Sequence, residues 1–454
     1  MWSPGDLTPS PFDTVYARCY SALSPCGLGA CERSSLEVRI GCAMKFCWFH
    51  LMPYRYLPAD FEEKHDSVWV DVPSTLFDPV KGHQLYNEYM DELEFADQMG
   101  FDGICVNEHH SNAYGIMPAP NVIAGALSRR TSKSALIVLG SSIALYNPPL
   151  RAAEEFAMLD CITGGRLVAG LPVGTAQDTA FAYGQVPVTL REKYYEAHDL
   201  VKRAWTEPAP FAFNGKYTQI RYVNIWPRPV QKPHPPIWIP GGGSIETWGW
   251  TIEQNYVYCY LSYNGYRFGG KVMEGFWEEV EKRGAEANPY RAGFLQLVAV
   301  SETDEQVDEY ASAIEYFFKK SLHTPGYFTD APGYRTLKST MSGLGSSSYQ
   351  SRRQQAENFT WKDYVDNGNV IAGSPETVRE RLREAIKTLR VGHMMLLCQF
   401  GDMPRELVFK NTELFAKEVM PHLRDIWDDY EDHWWPTPLD SGDRSNPRPV
   451  AFPP

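Results

Sequence analysis

The sequence predicts an α/β fold, a single (β/α)8 barrel with a lid-like insertion. Two observations lead there: eight short apolar runs of strand length recur along the chain, and segments with helical spacing separate them. A doubly wound open sheet would show similar local patterns and stays the alternative at this level.

The first run is MKFCWFHL at 44–51. Segment 83–99 follows, with Tyr86, Tyr89, Met90, Leu93 and Ala96 at helical spacing and Gly100 as its stop. GICVN at 103–107 completes one strand–helix–strand unit. Further runs lie near 135–145, 166–171, 236–240, 255–261, 293–300 and 393–400. Helical patterns occupy 150–163, 189–205, 244–254, 270–284, 303–320, 374–389 and 404–420. Thr303 with Gln306 reads as a capping box, and Ser374-Pro375 as an N-cap followed by proline at the first helical position.

Two stretches interrupt the rhythm. FAFNGKYTQI contains Asn214-Gly215, a hairpin turn signal. Residues 321–369 are rich in Gly, Ser and Gln, lack a barrel-strand pattern and are long for a connection, so they read as a lid insertion. Residues 1–43 mix Ser, Pro, Gly and Cys without period and are expected to be a disordered N-terminal extension. That leaves 44–430 as the barrel domain and 431–454 as a Pro-rich tail, with the part after Trp435 outside the core.

Composition narrows the function. Hydrophobic residues at 43% and charged residues at 22% mark an ordinary globular chain, and a net charge of -13 offers no basic stripe for nucleic acid or an anionic membrane. No apolar run is long enough for a membrane span and no signal-peptide core opens the chain, which predicts a cytoplasmic protein handling a small molecule. The nine cysteines, an odd count, read as free thiols, with Cys105, Cys161, Cys259 and Cys398 expected to be buried. The spacing of Cys26 and Cys31 matches no zinc pattern.

Glu108, His109 and His110 end the run GICVNEHH, and in a barrel the strand ends face the active site. A lone histidine there would ordinarily cap a loop; three ionisable residues in succession favour chemistry. Carboxylate and imidazole also suit a metal, but neighbours in sequence rarely converge on one ion and neither HxH nor HExxH occurs, so no metal is expected. IPGGGSIET, 239–247, sets glycines and a serine between a strand and a helix, which suits an anion cradle as well as a plain flexible turn. Arg191, near the start of a helix, is by itself an ordinary exposed arginine. Neither GxGxxG nor GxxxxGK[ST] is present, so reducing equivalents are expected to arrive already loaded on a cofactor.

FDGICVNEHH, NPPLRAAEEFAMLDCITGGRL, PPIWIPGGGSIET and AGSPETVRERL together resemble the bacterial luciferase-like flavin monooxygenases, over about 44–425. The resemblance implies a barrel that takes reduced FMN from a separate NAD(P)H:flavin reductase. It further implies dioxygen chemistry through a flavin 4a-hydroperoxide, oxidising a small, largely apolar organic substrate. His109 matches the family's catalytic histidine, with Glu108 and His110 beside it. Arg191 and the turn Gly242, Gly243 and Ser244 fall where the family holds the FMN phosphate, and Glu154 matches an acidic position near the barrel mouth. Ser141 and Ser142 align with a family strand carrying a non-prolyl cis peptide beside the flavin, expected here at Ser141–Ser142. Val173 stands where luciferase places an arginine, so luminescence on long-chain aldehydes is not expected.

Trp48, Tyr54 and Tyr114 would line an apolar pocket, with core packing an equal account of Trp48. Homodimerisation is compatible with this scheme. The alternatives are a deazaflavin-dependent hydride-transfer oxidoreductase on the same barrel, a metal-dependent barrel hydrolase with Glu108 and His109 as ligands, and a flavin-binding protein without turnover.

Overall fold

A computed structural model describes residues 43–175, 181–324, 333–334, 336–337, 356–440 and 442–444. The N-terminal extension, most of the expected lid and the end of the tail lie outside the described residues.

Strands β1 (Lys45–Phe49), β2 (Gly103–Val106), β3 (Ala135–Leu139) and β4 (Leu167–Gly170) pair in parallel in chain order. An antiparallel hairpin of β5 (Phe211–Asn214) and β6 (Gln219–Val223) interrupts them, turning where Gly215 N–H donates to Thr218 O at 2.9 Å. The parallel series resumes with β7 (Ile237–Gly241), β8 (Val257–Tyr260) and β9 (Ala292–Val300). A four-residue strand, β10 (Val370–Gly373), runs beside Leu297–Val300 of β9. Finally β11 (His393–Leu397) pairs with both β9 and β1 and closes the barrel.

The eight barrel strands are the eight apolar runs. Each is buried on both faces, inward against the other strands and outward against helices, which is why they read as continuous apolar segments rather than alternating ones. Helix Pro79–Met99 stops at Gly100, whose φ of 88° is open to glycine at little cost. Of the described α-helices and strands, four were not anticipated, among them the short helices Phe61–Lys64 and Trp361–Asp366. Helix Pro120–Arg130 buries only Pro120, Ala124, Leu127 and Ser128, too small a face to give a clear period. Strand β10 is four residues at the end of the insertion.

Several expectations are corrected. Thr303 makes no capping bond, whereas Ser374 Oγ accepts from Thr377 N–H as its N-cap reading expects; the Asp304 carboxylate accepts from Ser374 N–H at 2.6 Å and the Thr377 hydroxyl at 2.9 Å and so ties the two helix starts together. Segment 303–320 is a 3-10 stretch Asp304–Tyr310, one α turn Ala311–Glu315 and a π stretch Tyr316–Ser321. The expected burial of Cys105, Cys259 and Cys398 is observed, but Cys161 is exposed because it sits on the outer side of helix Leu150–Thr163.

Residues after 430 seal the end of the barrel where the strands begin. Trp434 is buried, and its Nε1 donates to Asn255 O at 2.8 Å, just before β8. Asp432 pairs with His393 at 3.0 Å at the start of β11, and Leu439 N–H donates to Gly164 O at 2.9 Å, just before β4. Aperiodic sequence hid this closure, since it is made by single aromatic and polar anchors. Among the described residues no helix is long and apolar enough to cross a membrane.

Candidate active site

All parallel strands of a closed barrel end at one mouth, and the loops after β2, β3, β4 and β7 therefore meet there. The candidate residues divide between two ends of it.

The first end forms around His109. Its backbone N–H donates to Met117 O at 3.1 Å, fixing the loop after β2 against the segment that carries Tyr114. The imidazole meets Tyr114 edge-on at 4.7 Å and Trp69 edge-on at 5.2 Å, while Trp69 and Tyr114 stack on each other at 3.9 Å. Such contacts use the positive edge of one ring against the negative face of another and leave a dry, apolar wall. Gly115 makes the approach possible, because a Cβ there would lie 2.9 Å from Leu51 O and 3.1 Å from His109 Cδ2. The Tyr114 hydroxyl is in contact with that of Tyr263.

Glu108 and His110 face elsewhere. The Glu108 carboxylate is hydrogen-bonded to His110 Nε2 at 2.7 Å and accepts from Ser142 N–H at 3.0 Å, which joins the loops after β2 and β3. Its side chain is 4% exposed, so these bonds are what compensates the buried charge. The His110 ring lies 4.3 Å from that of Tyr183. Ser141 is buried, its N–H donating to Gly170 O at 2.8 Å and its hydroxyl to Tyr146 at 3.3 Å.

The non-prolyl cis bond is at Leu139–Gly140, not at Ser141–Ser142. Gly140 is the residue that tolerates the crowding there: a Cβ would lie 2.2 Å from Pro172 Cδ.

The second end is the turn after β7. Gly243 has φ 93°, the left-handed region, while a Cβ on Gly242 would meet nothing within 4 Å. Arg191, on helix Pro187–Thr206, donates through Nη2 to Ser244 Oγ at 3.2 Å. Its Nη1 is buried without a hydrogen-bond partner among the described residues. A guanidinium N–H so placed carries positive charge with no acceptor, which an oxyanion would satisfy.

Glu154 is half-buried on helix Leu150–Thr163 and, among the described residues, makes no hydrogen bond or ion pair with this group. Trp48 belongs to the core, its Nε1 donating to Thr412 Oγ1 at 3.1 Å. The Tyr54 hydroxyl accepts from Asp78 N–H at 2.9 Å, in front of helix Pro79–Met99. Trp69, Tyr263 and Glu246 join the site without having been singled out: Trp69 and Tyr263 sit in aperiodic loops that mark neither, and Glu246 lies in the IPGGGSIET stretch, which was read for its glycines and serine alone. Among the described residues no three His, Cys, Asp or Glu side chains cluster to hold a metal ion.

Comparisons with known proteins bear on this arrangement. The chain is 22% identical over 374 residues to 2,5-diketocamphane 1,2-monooxygenase 1 of Pseudomonas putida, covering 75% of this chain and 94% of that one. It superposes, with TM-score 0.64 and 18% identity, on the oxygenating constituent of 3,6-diketocamphane monooxygenase from Pseudomonas putida, solved with FMN, over 84% of this chain and 98% of that. An F420-dependent secondary alcohol dehydrogenase superposes with TM-score 0.58 and 16% identity, over 84% and 99%. Those two likenesses show the shared barrel. The family model described as luciferase-like monooxygenase matches residues 73–391, most of the chain, and with the barrel in place the chain belongs to the luciferase-like monooxygenase family.

Proposed function

We propose that the chain is the oxygenating component of a two-component FMN monooxygenase. It takes reduced FMN from a separate NAD(P)H:flavin reductase and oxidises a small, largely apolar organic molecule. The observation that carries this is the buried Arg191 Nη1, without an acceptor among the described residues, set beside Ser244 and an open glycine turn at the same mouth as the aromatic wall around His109. The relative solved with FMN and described as an oxygenating constituent supports both the cofactor and the division of labour.

The residues present fit the phosphate of FMN. Arg191 offers a charged donor, Ser244 a hydroxyl, and the Gly242–Gly243 turn a backbone that a side chain would not obstruct. When bound, reduced FMN supplies two electrons to dioxygen, one oxygen atom entering the substrate and the other leaving as water. A ring nitrogen of His109 accepts and returns the proton at the reacting centre. Glu108 fixes His110 and the loop at Ser142 rather than acting itself. Trp69 and Tyr114 exclude water and offer apolar surface to the substrate.

A metal-dependent hydrolase loses its ligand pair, since Glu108 is engaged with His110 and Ser142 while His109 packs against Trp69 and Tyr114. A deazaflavin would present a phosphate to the same cradle. The test is titration with FMN and with a deazaflavin, then turnover with reduced cofactor, isotopically labelled dioxygen and a panel of apolar substrates. Label in the product is expected with FMN; hydride transfer without oxygen uptake would replace this reading by the deazaflavin one.

A further inference from the structure

The proposed phosphate cradle already contains an anion of the protein's own. Two residues beyond Ser244, Glu246 is half-buried and accepts through Oε2 from the Ser244 hydroxyl at 2.8 Å. Ser244 in turn accepts from Arg191 Nη2 at 3.2 Å, so guanidinium, hydroxyl and carboxylate form one chain. The other carboxylate oxygen accepts from the hydroxyl of Thr336, which belongs to the insertion. Burial alone would raise the Glu246 carboxyl, but the Thr336 and Ser244 hydroxyls, with Arg191 nearby, outweigh it and hold the group below its usual range. It is therefore ionised at neutral pH.

The Ser244 hydroxyl that contacts a bound phosphate in the reading above is thus tied to a resident carboxylate and to Arg191 Nη2, while Arg191 Nη1 stays without an acceptor among the described residues. A dianion entering the turn must take the Ser244 hydroxyl from Glu246 and accept a like charge close by, and like charges juxtaposed in a partly buried site oppose binding. We propose that Glu246 is an internal competitor of the cofactor phosphate, which keeps a phosphate-bearing flavin weakly held and readily exchanged. The inference rests on the FMN reading of the same site. It fits a component that receives its cofactor reduced from elsewhere and must release it oxidised.

Glu246→Gln has the same shape without the charge, and Glu246→Ala removes the carboxylate altogether. The measurement is the dissociation constant of oxidised FMN and of riboflavin, which shares the ring but lacks the phosphate, for the whole protein and both variants, with inorganic phosphate as a competitor. Both variants are expected to bind FMN about tenfold tighter, with slower release, and inorganic phosphate to compete with FMN but not with riboflavin, whose affinity is unchanged. FMN affinity unaltered in both variants overturns the competitor role and leaves the FMN reading standing, as does equal tightening of FMN and riboflavin, which would mark a general change of shape. A wild-type protein that binds FMN no better than riboflavin overturns both, because the phosphate would then have no site in the turn.

Discussion

At His109 the imidazole has aromatic neighbours on two sides, and the cofactor phosphate is assigned to other loops, so binding and proton handling separate. His109→Ala is expected to bind FMN with wild-type affinity, to form product about 10²-fold more slowly and to release more of the consumed oxygen as hydrogen peroxide. The ratio of product to peroxide, read beside the melting temperature, checks this; a variant that melts earlier but keeps wild-type coupling would make His109 a packing residue. The phosphate turn offers a second single-residue test. Any side chain on Gly243 is strained by its φ of 93°, whereas Gly242 lies outside the left-handed region and its Cβ would enter open space. Gly242→Asp should therefore fold normally and weaken FMN binding at least about tenfold, roughly 1.4 kcal/mol, by charge alone. Unchanged affinity in a titration would remove the turn from the phosphate site. At this scale the sequence singled out the candidate residues but not how their side chains are divided. Glu108, His109 and His110 are consecutive, and their different partners come from the loop after β3, from residue 69 and from residue 183, which no local pattern connects.

Elements were legible where burial is two-sided and faint where it is not. The strands and the long helices announce themselves, because each must cover a continuous apolar surface; β10 and helix Pro120–Arg130 cover little and leave no period. The join between β1 and helix Pro79–Met99 holds a device no periodicity reports. His50 Nδ1 accepts from Met52 N–H at 2.9 Å, so Nε2 carries the proton toward Glu92 Oε2 at 3.0 Å, and both side chains are fully buried. Burial lowers His50 from 6.5 to about 3 and raises Glu92 well above 4.5. Glu92 Oε1, buried without a partner among the described residues, agrees with a neutral carboxyl. For His50 the unfolded chain takes up a proton below pH 6.5 that the fold refuses, so stability falls as pH drops from 6.5 to about 3. For Glu92 the fold keeps a proton that the unfolded chain loses above pH 4.5, so stability falls as pH rises above 4.5. The two slopes oppose each other between 4.5 and 6.5; below that window the His50 slope acts alone, and above it the Glu92 slope does. Glu92→Gln keeps an acceptor for His50 and should flatten the alkaline limb only. Urea midpoints across pH for both proteins decide it, and the same alkaline slope in each would refute the neutral pair.

Over the whole molecule, the candidate site and the closure occupy opposite ends of the same strands. The mouth carries His109 and the glycine turn; the other end is sealed by residues after 430, where Trp434 donates to Asn255 O, Trp238 Nε1 donates to Trp434 O at 3.4 Å, and Trp435 stacks parallel to His393. Conserving the barrel's strand ends while attaching function to loops at one face separates stability from activity. Trp434→Ala empties a large buried site that no neighbour can fill without moving strand starts, and should cost about 3–5 kcal/mol of stability. Since the parallel strands hold the mouth independently of how their first residues are covered, FMN affinity at a temperature well below melting should remain at the wild-type value. Chemical denaturation gives the first quantity and a flavin titration the second. A variant that loses FMN affinity in proportion to its stability would mean that the floor and the mouth are one cooperative unit, and that the barrel does not insulate its active end from its closing segment.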